Sequence, residues 1–106
     1  MVDRKKIKAF VGEVARRYQP QRVVLFGSYA YGRPGADSDV DLLVIMPHKG
    51  HSAIQAAEIR KHIRAGFPMD LIVRSPRVIR ERLAKDDLFI TEIIEQGKTL
   101  YEAKHA

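Results

Sequence analysis

The sequence contains no cysteine, which excludes a disulfide framework and a thiolate metal site. It also has no apolar run that approaches the roughly 20 residues needed to span a bilayer. The first ten residues, MVDRKKIKAF, lack the long apolar core of a secretory signal peptide. These absences predict a protein without membrane contact, and we expect a cytoplasmic location.

The length and composition are ordinary for a soluble globular protein. The chain has 106 residues, 45% of them hydrophobic and 30% charged, which suits a single domain over residues 1–106. The net charge of +6 favours anionic partners such as nucleotides, nucleic acid or an acidic protein, but charge alone does not choose among them. The basic residues at 60–64 and 74–85 fit either solvated helix faces or a surface that attracts such a partner.

Helical and strand patterns alternate along the chain. Short β-branched and apolar runs predict strands over residues 22–27, 39–46, 68–73 and 99–102. Apolar residues at helical spacing predict helices over residues 3–18, from 52 to just before 66, from 76 through 83, and from about 88 to 96. The alternation predicts a sheet domain of the α/β or α+β class.

Helix boundaries carry their own signals. Asp3 is a predicted N-cap, and Ser75 followed by Pro76 predicts an N-cap with proline in the first turn. Ser52 and Gln55 have the spacing of a capping box. Gly66 is suited to the position that follows the end of the same helix.

Two aspartates stand at the start of the second predicted strand. Side chains alternate along a strand, so Asp39 and Asp41 point to one face, with Cα atoms about 6.6 Å apart. Two carboxylates that close resist burial unless a cation lies between them, and oxygen ligands of this kind suit Mg²⁺ or Mn²⁺. Asp70 lies among apolar residues of the third strand, and it can approach the same cation if the two strands pair. Three carboxylates around a metal are typical of phosphoryl transfer.

Gly27 and Ser28 follow the first apolar run, and ten residues separate them from these acids. Glycine lets the backbone approach a phosphate closely, and Ser28 offers both an N–H and a hydroxyl. If a helical turn begins at SYAYG, its free N–H groups point at the same anion. Taken singly, each feature has an ordinary explanation: a turn for the Gly-Ser pair, and a frayed or edge-strand charge for each aspartate.

Together these motifs resemble a known family. GS, a ten-residue spacer, DVD and a later Asp within DLIV resemble the nucleotidyltransferase fold of DNA polymerase beta. The length of the chain and its ending, FITEIIEQGKTLYE, resemble those of the minimal nucleotidyltransferases in particular. The resemblance implies a small mixed sheet flanked by about four helices.

The resemblance also implies an activity and residue roles. Asp39, Asp41 and Asp70 would be catalytic and would ligate Mg²⁺ or Mn²⁺, and Gly27 and Ser28 would hold the nucleoside triphosphate. The reaction would transfer a nucleoside monophosphate, AMP from ATP, to a hydroxyl. Many such proteins are antitoxins that modify a tyrosine of an all-helical HEPN-type ribonuclease toxin, which makes such a toxin the expected partner, with no requirement for nucleic acid.

One position departs from the family pattern. Relatives often carry arginine directly before the glycine that closes GSxARG. Tyr31 takes the place of that arginine here. Arg33 follows two residues later, so Arg33 is the candidate to reach the triphosphate. The departure favours one alternative, an antitoxin that acts by contact alone. The basic composition leaves another open, a basic nucleic-acid-binding module. Tyr29 and Tyr31 fit either base stacking or a cover for the loop.

The histidines are weaker candidates. His48 and His51 form an H-x-x-H pattern in a polar loop, but no third ligand accompanies them. His62 is expected on the exposed side of its helix, and His105 lies in the tail. No Ser-His-Asp arrangement, dinucleotide fingerprint or P-loop is present.

Overall fold

The computed structural model describes residues 1–104, so His105 lies outside the described part of the chain. The helices are α1 (Arg4–Tyr18), α2 (Ser28–Tyr31), α3 (Ser52–His62), α4 (Pro76–Ala84) and α5 (Leu88–Gln96). The strands are β1 (Arg22–Phe26), β2 (Val40–Ile45), β3 (Met69–Arg74) and β4 (Lys98–Glu102). None of the helices within residues 1–104 combines the length and apolarity needed to cross a membrane.

The strands form one mixed sheet in the order β3-β2-β1-β4. β1 runs antiparallel to both β2 and β4, whereas β2 and β3 are parallel. The parallel pair is joined by α3, since parallel neighbours need a crossover connection. The start of β2, the start of β3 and the end of β1 therefore meet at one end of the sheet.

Apolar side chains cover the sheet on both faces. The first apolar layer joins α1, α2 and α3 to alternate residues of the strands, among them Val14, Leu42 and Ile59, each almost fully buried. The second apolar layer joins α4 and α5 to the other face through Leu43 and Ile93. Burial on both faces explains why β2 reads as a near-continuous apolar run rather than an alternating one.

The predicted fold class is confirmed, with a mixed sheet and helices on both of its faces. The Asp3 side chain accepts a hydrogen bond from the backbone N–H of Lys5 and caps α1, as predicted. Ser75 caps α4 by accepting from the N–H of Val78, and Pro76 begins that helix. The helical turn considered at residue 28 is α2.

Two predictions about α3 are wrong. His51, not Ser52, is the N-cap residue, and no side chain caps the helix. The Ser52 hydroxyl instead accepts a hydrogen bond from Nη1 of Arg74, 3.2 Å away, so this tertiary contact replaces the capping box. The helix also ends early, at His62 with Ile63 as its C-cap, because Ile63 turns into the first apolar layer, and Gly66 lies beyond the helix end.

We predict that Ser75→Ala lowers the free energy of unfolding by about 1 kcal/mol, the usual result of removing an N-cap hydroxyl. Ser52→Ala is the matched control, because Ser52 lies inside the first turn of α3 and caps nothing; we expect it to cost about half as much or less. Urea denaturation of both variants measures the difference. Equal losses would mean that the capping assignment of the two helices is wrong.

Candidate active site

Asp41 and Asp70 lie side by side at the end of the sheet. They are aligned Cα partners in the parallel register of β2 and β3. Aligned residues of paired strands point to the same face, and their strand neighbours Leu43 and Ile72 both pack in the second apolar layer. The sheet thus brings together two acids that are 29 positions apart in sequence, as expected if these strands pair.

Asp39 lies just ahead of β2, two residues before Asp41. A tight turn delivers it: the backbone N–H of Gly35 donates to the Ser38 hydroxyl at 2.9 Å. The N–H of Val40 then donates to the carbonyl of Pro68 at 3.0 Å, which ties this loop to the segment that enters β3. The loop therefore carries Asp39 to the same end of the sheet as the other two acids.

The three carboxylates interact electrostatically. Partial burial, followed by the negative charges of Asp70 and Asp39, raises the pKa of Asp41 above its ordinary value of 3.8. Each cause disfavours the charged form of Asp41. A nearby cation would reverse all of the repulsive contributions, which makes this carboxylate the centre of the candidate site.

Gly27 lies against the Asp41 carboxylate. Its backbone adopts φ 73° and ψ −156°, a region that is essentially restricted to glycine. A Cβ atom placed on Gly27 would lie 2.1 Å from Oδ2 of Asp41, so only glycine fits. α2 begins at the next residue, Ser28, which places its first backbone groups beside the acids.

The remaining candidate residues differ in their exposure. Arg33 is exposed in the loop after α2, and no ion pair within residues 1–104 involves it. Tyr31 is also exposed. Tyr29 is buried in the first apolar layer, so it covers the core rather than offering a free ring to a base. Tyr29 and Tyr31 differ because successive side chains of a helix such as α2 point in different directions.

The donor set fits a hard divalent cation that binds together with a ligand. In the described chain, no group of three or more histidine, cysteine or acidic side chains is arranged as a ready-made metal site, so His48 and His51 do not form one. Mg²⁺, however, commonly takes one or two carboxylates and fills its remaining positions with phosphate oxygens and water. Asp41 and Asp70 supply two carboxylates side by side, and Asp39 lies adjacent to them.

The comparisons with known proteins identify the family of this chain. The family model described as nucleotidyltransferase domain matches residues 7–100. The chain is 27% identical over 103 residues to "Putative protein adenylyltransferase" of Methanocaldococcus jannaschii, covering 95% of this chain and 100% of that protein.

Two solved structures share the fold. A "putative nucleotidyltransferase" from Sulfolobus solfataricus superposes with a TM-score of 0.66 at 20% identity, over 96% of this chain and 82% of that one. A toxin-antitoxin crystallised with AMP-PNP gives a TM-score of 0.53 at 19% identity, over 92% of this chain and 74% of that one.

We predict that Gly27→Ala lowers the free energy of unfolding by about 3 kcal/mol, since it combines a strained backbone with a side-chain collision. Gly50→Ala is the matched control: Gly50 has φ 74°, but no atom lies within 4 Å of the position that its Cβ would take, so we expect a loss of about 1 kcal/mol. Adding Asp41→Ala to Gly27→Ala should recover the collision energy. Denaturant melts of the four proteins provide the test; equal losses at the two glycines would contradict the contact with Asp41.

The raised pKa of Asp41 predicts a pH-dependent stability for the protein without metal or nucleotide. The folded state holds this proton more tightly than the unfolded state does, so the stabilisation from Asp41 is complete below pH 3.8 and is lost as pH rises through the raised folded pKa. Asp41→Asn should therefore be more stable than the wild type near pH 7, and the gain should vanish below pH 3.8.

Urea midpoints across this pH range measure the effect on Asp41→Asn. The exposed loop variant Asp37→Asn is the matched control and should show no comparable gain. A wild type as stable as Asp41→Asn near pH 7 would contradict the electrostatic account of the site.

Proposed function

Since this chain belongs to the nucleotidyltransferase domain family, we propose that it transfers AMP from ATP to a hydroxyl group of a partner protein. The transferase class follows from the family itself. The choice of ATP, the protein acceptor and the residue roles are the proposal, and each rests on its own support.

The observation that carries the proposal is the alignment of Asp41 with Asp70 beside the Gly27 backbone. The carboxylates lie next to a stretch of backbone that a phosphate can approach closely. This arrangement suits the two ends of a polyphosphate. The carboxylate end can hold metal, and the Gly27–Ser28 end can hold phosphate oxygens. If these aspartates were only solvated charges at strand ends, no glycine would be required in contact with Asp41.

We assign Asp39, Asp41 and Asp70 as the residues that would hold Mg²⁺, or Mn²⁺ in its place. When bound, the ion would neutralise the triphosphate and lower the charge repulsion among these acids. Because the acids alone make no closed ligand set, the ion should bind tightly only together with the nucleotide.

The transfer is a single displacement at phosphorus. The acceptor oxygen forms a bond to the α-phosphorus of ATP, and the bond from that phosphorus to the bridging oxygen of the β-phosphate breaks. Pyrophosphate leaves with that electron pair. Asp70, exposed at the outer strand of the described sheet, accepts or orients the acceptor proton. Gly27 and Ser28 hold the triphosphate, and Arg33, in the loop that follows α2, is the candidate to add positive charge to it.

A protein acceptor is supported by the relatives. One is named as a protein adenylyltransferase, and a structural neighbour is a toxin-antitoxin crystallised with AMP-PNP, an ATP analogue. We propose that the acceptor is a tyrosine of a HEPN-type ribonuclease toxin, and that this chain is the antitoxin. The net charge of +6 is compatible with both ATP and an acidic partner surface.

A second candidate is an antitoxin that neutralises its partner by contact alone. Tyr31, exposed where family members often carry the arginine of GSxARG, favours it. Arg33 makes no ion pair with another described residue, so it is available to replace that arginine. The transferase and the contact-only antitoxin differ in one respect: only the transferase needs the three aspartates to neutralise the toxin.

We predict that the protein encoded by the neighbouring gene gains one or more AMP units when incubated with this protein, ATP and Mg²⁺. Intact mass spectrometry measures the gain. Asp41→Asn should lower the rate by at least about 100-fold, because charge stabilisation at the reacting phosphate accounts for several kcal/mol of such barriers. Asp37→Asn, an exposed acid in the preceding loop, should leave the rate unchanged.

Two outcomes decide between the candidates. An unmodified toxin at saturating ATP and Mg²⁺ would rule out the transferase proposal for this partner. If the Asp39→Asn and Asp41→Asn proteins still neutralise the toxin in that case, the contact-only antitoxin is the better description.

A further inference from the structure

The side chain of Tyr29 links the N-terminal segment to α2. Its hydroxyl accepts a hydrogen bond from the backbone N–H of Val2 at 2.9 Å, across 27 positions of sequence. The Tyr29 residue is only 7% exposed and packs in the first apolar layer. Val2 packs against the same layer, and Asp3 immediately begins the cap of α1. One end of this hydrogen bond is therefore anchored to the first helix.

The other end of the bond is in α2, whose position relative to Asp41 can change little. Tyr29 follows Ser28 directly, and Gly27 precedes it in contact with the Asp41 carboxylate. α2 is only four residues long, so it has few internal hydrogen bonds to hold its own orientation. A small tilt of this turn would change the distance between the Gly27–Ser28 backbone and the acids.

The apolar contacts of Tyr29 in the first apolar layer are non-directional. A pocket of about 450 Å³ lies beside the contact, and Val2, Tyr29, Ser38 and Pro68 are among the residues that line it. The hydrogen bond from Val2 supplies a directional restraint there that apolar contact cannot supply.

We propose that Tyr29 is a positioning residue for nucleotide binding: its hydroxyl, held by the Val2 backbone, sets the orientation of α2 and thus of the Gly27–Ser28 phosphate site relative to Asp41. The inference rests on the proposed function, because it assigns the purpose of this orientation to the triphosphate. Tyr29 itself does not touch the reacting atoms. The role belongs to the hydroxyl, since phenylalanine would fill the same part of the core.

The test compares Tyr29→Phe with the wild type in the full chain. We expect the Kd for AMP-PNP with Mg²⁺ and the KM for ATP to rise about three- to tenfold, the range that loss of one hydrogen bond produces in an equilibrium constant. We expect kcat to change less than twofold. Hydrogen exchange without nucleotide should be faster at the α2 amides of Ala30 and Tyr31, which donate to the Gly27 carbonyl, while exchange in β2 should be unchanged.

Two control variants separate this role from a general loss of packing. Tyr18→Phe removes a hydroxyl that contacts Glu58 at 3.5 Å, away from the site, and should leave both the Kd and α2 exchange unchanged. Val2→Ala trims the side chain but keeps the backbone N–H, so it should bind AMP-PNP within about twofold of the wild type.

The outcomes distinguish failure of the inference from failure of the proposed function. A wild type that binds AMP-PNP, together with a Tyr29→Phe protein of equal Kd and equal α2 exchange, would overturn the positioning role. A Tyr29→Phe protein that melts earlier but binds with the wild-type Kd would overturn it too, because Tyr29 would then be only a core residue. A wild type that does not bind AMP-PNP with Mg²⁺ would refute the proposed function, while the exchange measurement still tests the restraint on α2.

Discussion

The candidate site depends on the placement of two like charges side by side. Asp41 and Asp70 are aligned partners on neighbouring strands, and Asp39 adds a third charge nearby. Partial burial of Asp41, followed by repulsion from Asp70 and Asp39, raises the pKa of Asp41 and opposes the folded state near neutral pH. A fold that had only stability to satisfy would place a neutral side chain there. The unfavourable placement is the strongest physical argument for a site that uses a cation and a phosphate.

The two apolar layers hold these charges in place. Both faces of β2 are buried, through Leu42 and Leu43. A shift of β2 by one residue would exchange its two faces, which would misfit both layers and turn Asp41 toward the first apolar layer. The register that aligns Asp41 with Asp70 is therefore enforced by the core rather than by the acids themselves. Gly27 completes the arrangement, since its lack of a side chain is what allows the end of β1 to lie against Asp41.

Much of the fold and the candidate site could be predicted from local pattern. The strands, the main helices and the caps at Asp3 and Ser75 follow from periodicity and from short-range hydrogen bonding, which act within a few residues. The capping box at Ser52 could not be excluded this way, because the competing partner, Arg74, is 22 positions away and reaches Ser52 only in the folded chain. The burial of Tyr29 likewise depends on distant segments, since its hydroxyl contacts the backbone of Val2, 27 positions away.

The sequence by itself determined which groups are available: three carboxylates, a Gly-Ser pair and strands apolar enough to be buried. Their order and spacing also determined the resemblance to the nucleotidyltransferases, which the family match supports. Only the tertiary structure decided that Asp70 shares a face with Asp41, that the Gly27 backbone contacts the Asp41 carboxylate, and that Tyr29 ties α2 to the N-terminal segment. The physical reason is that strand pairing and burial are set by contacts between distant segments, whereas spacing along the chain constrains only near neighbours.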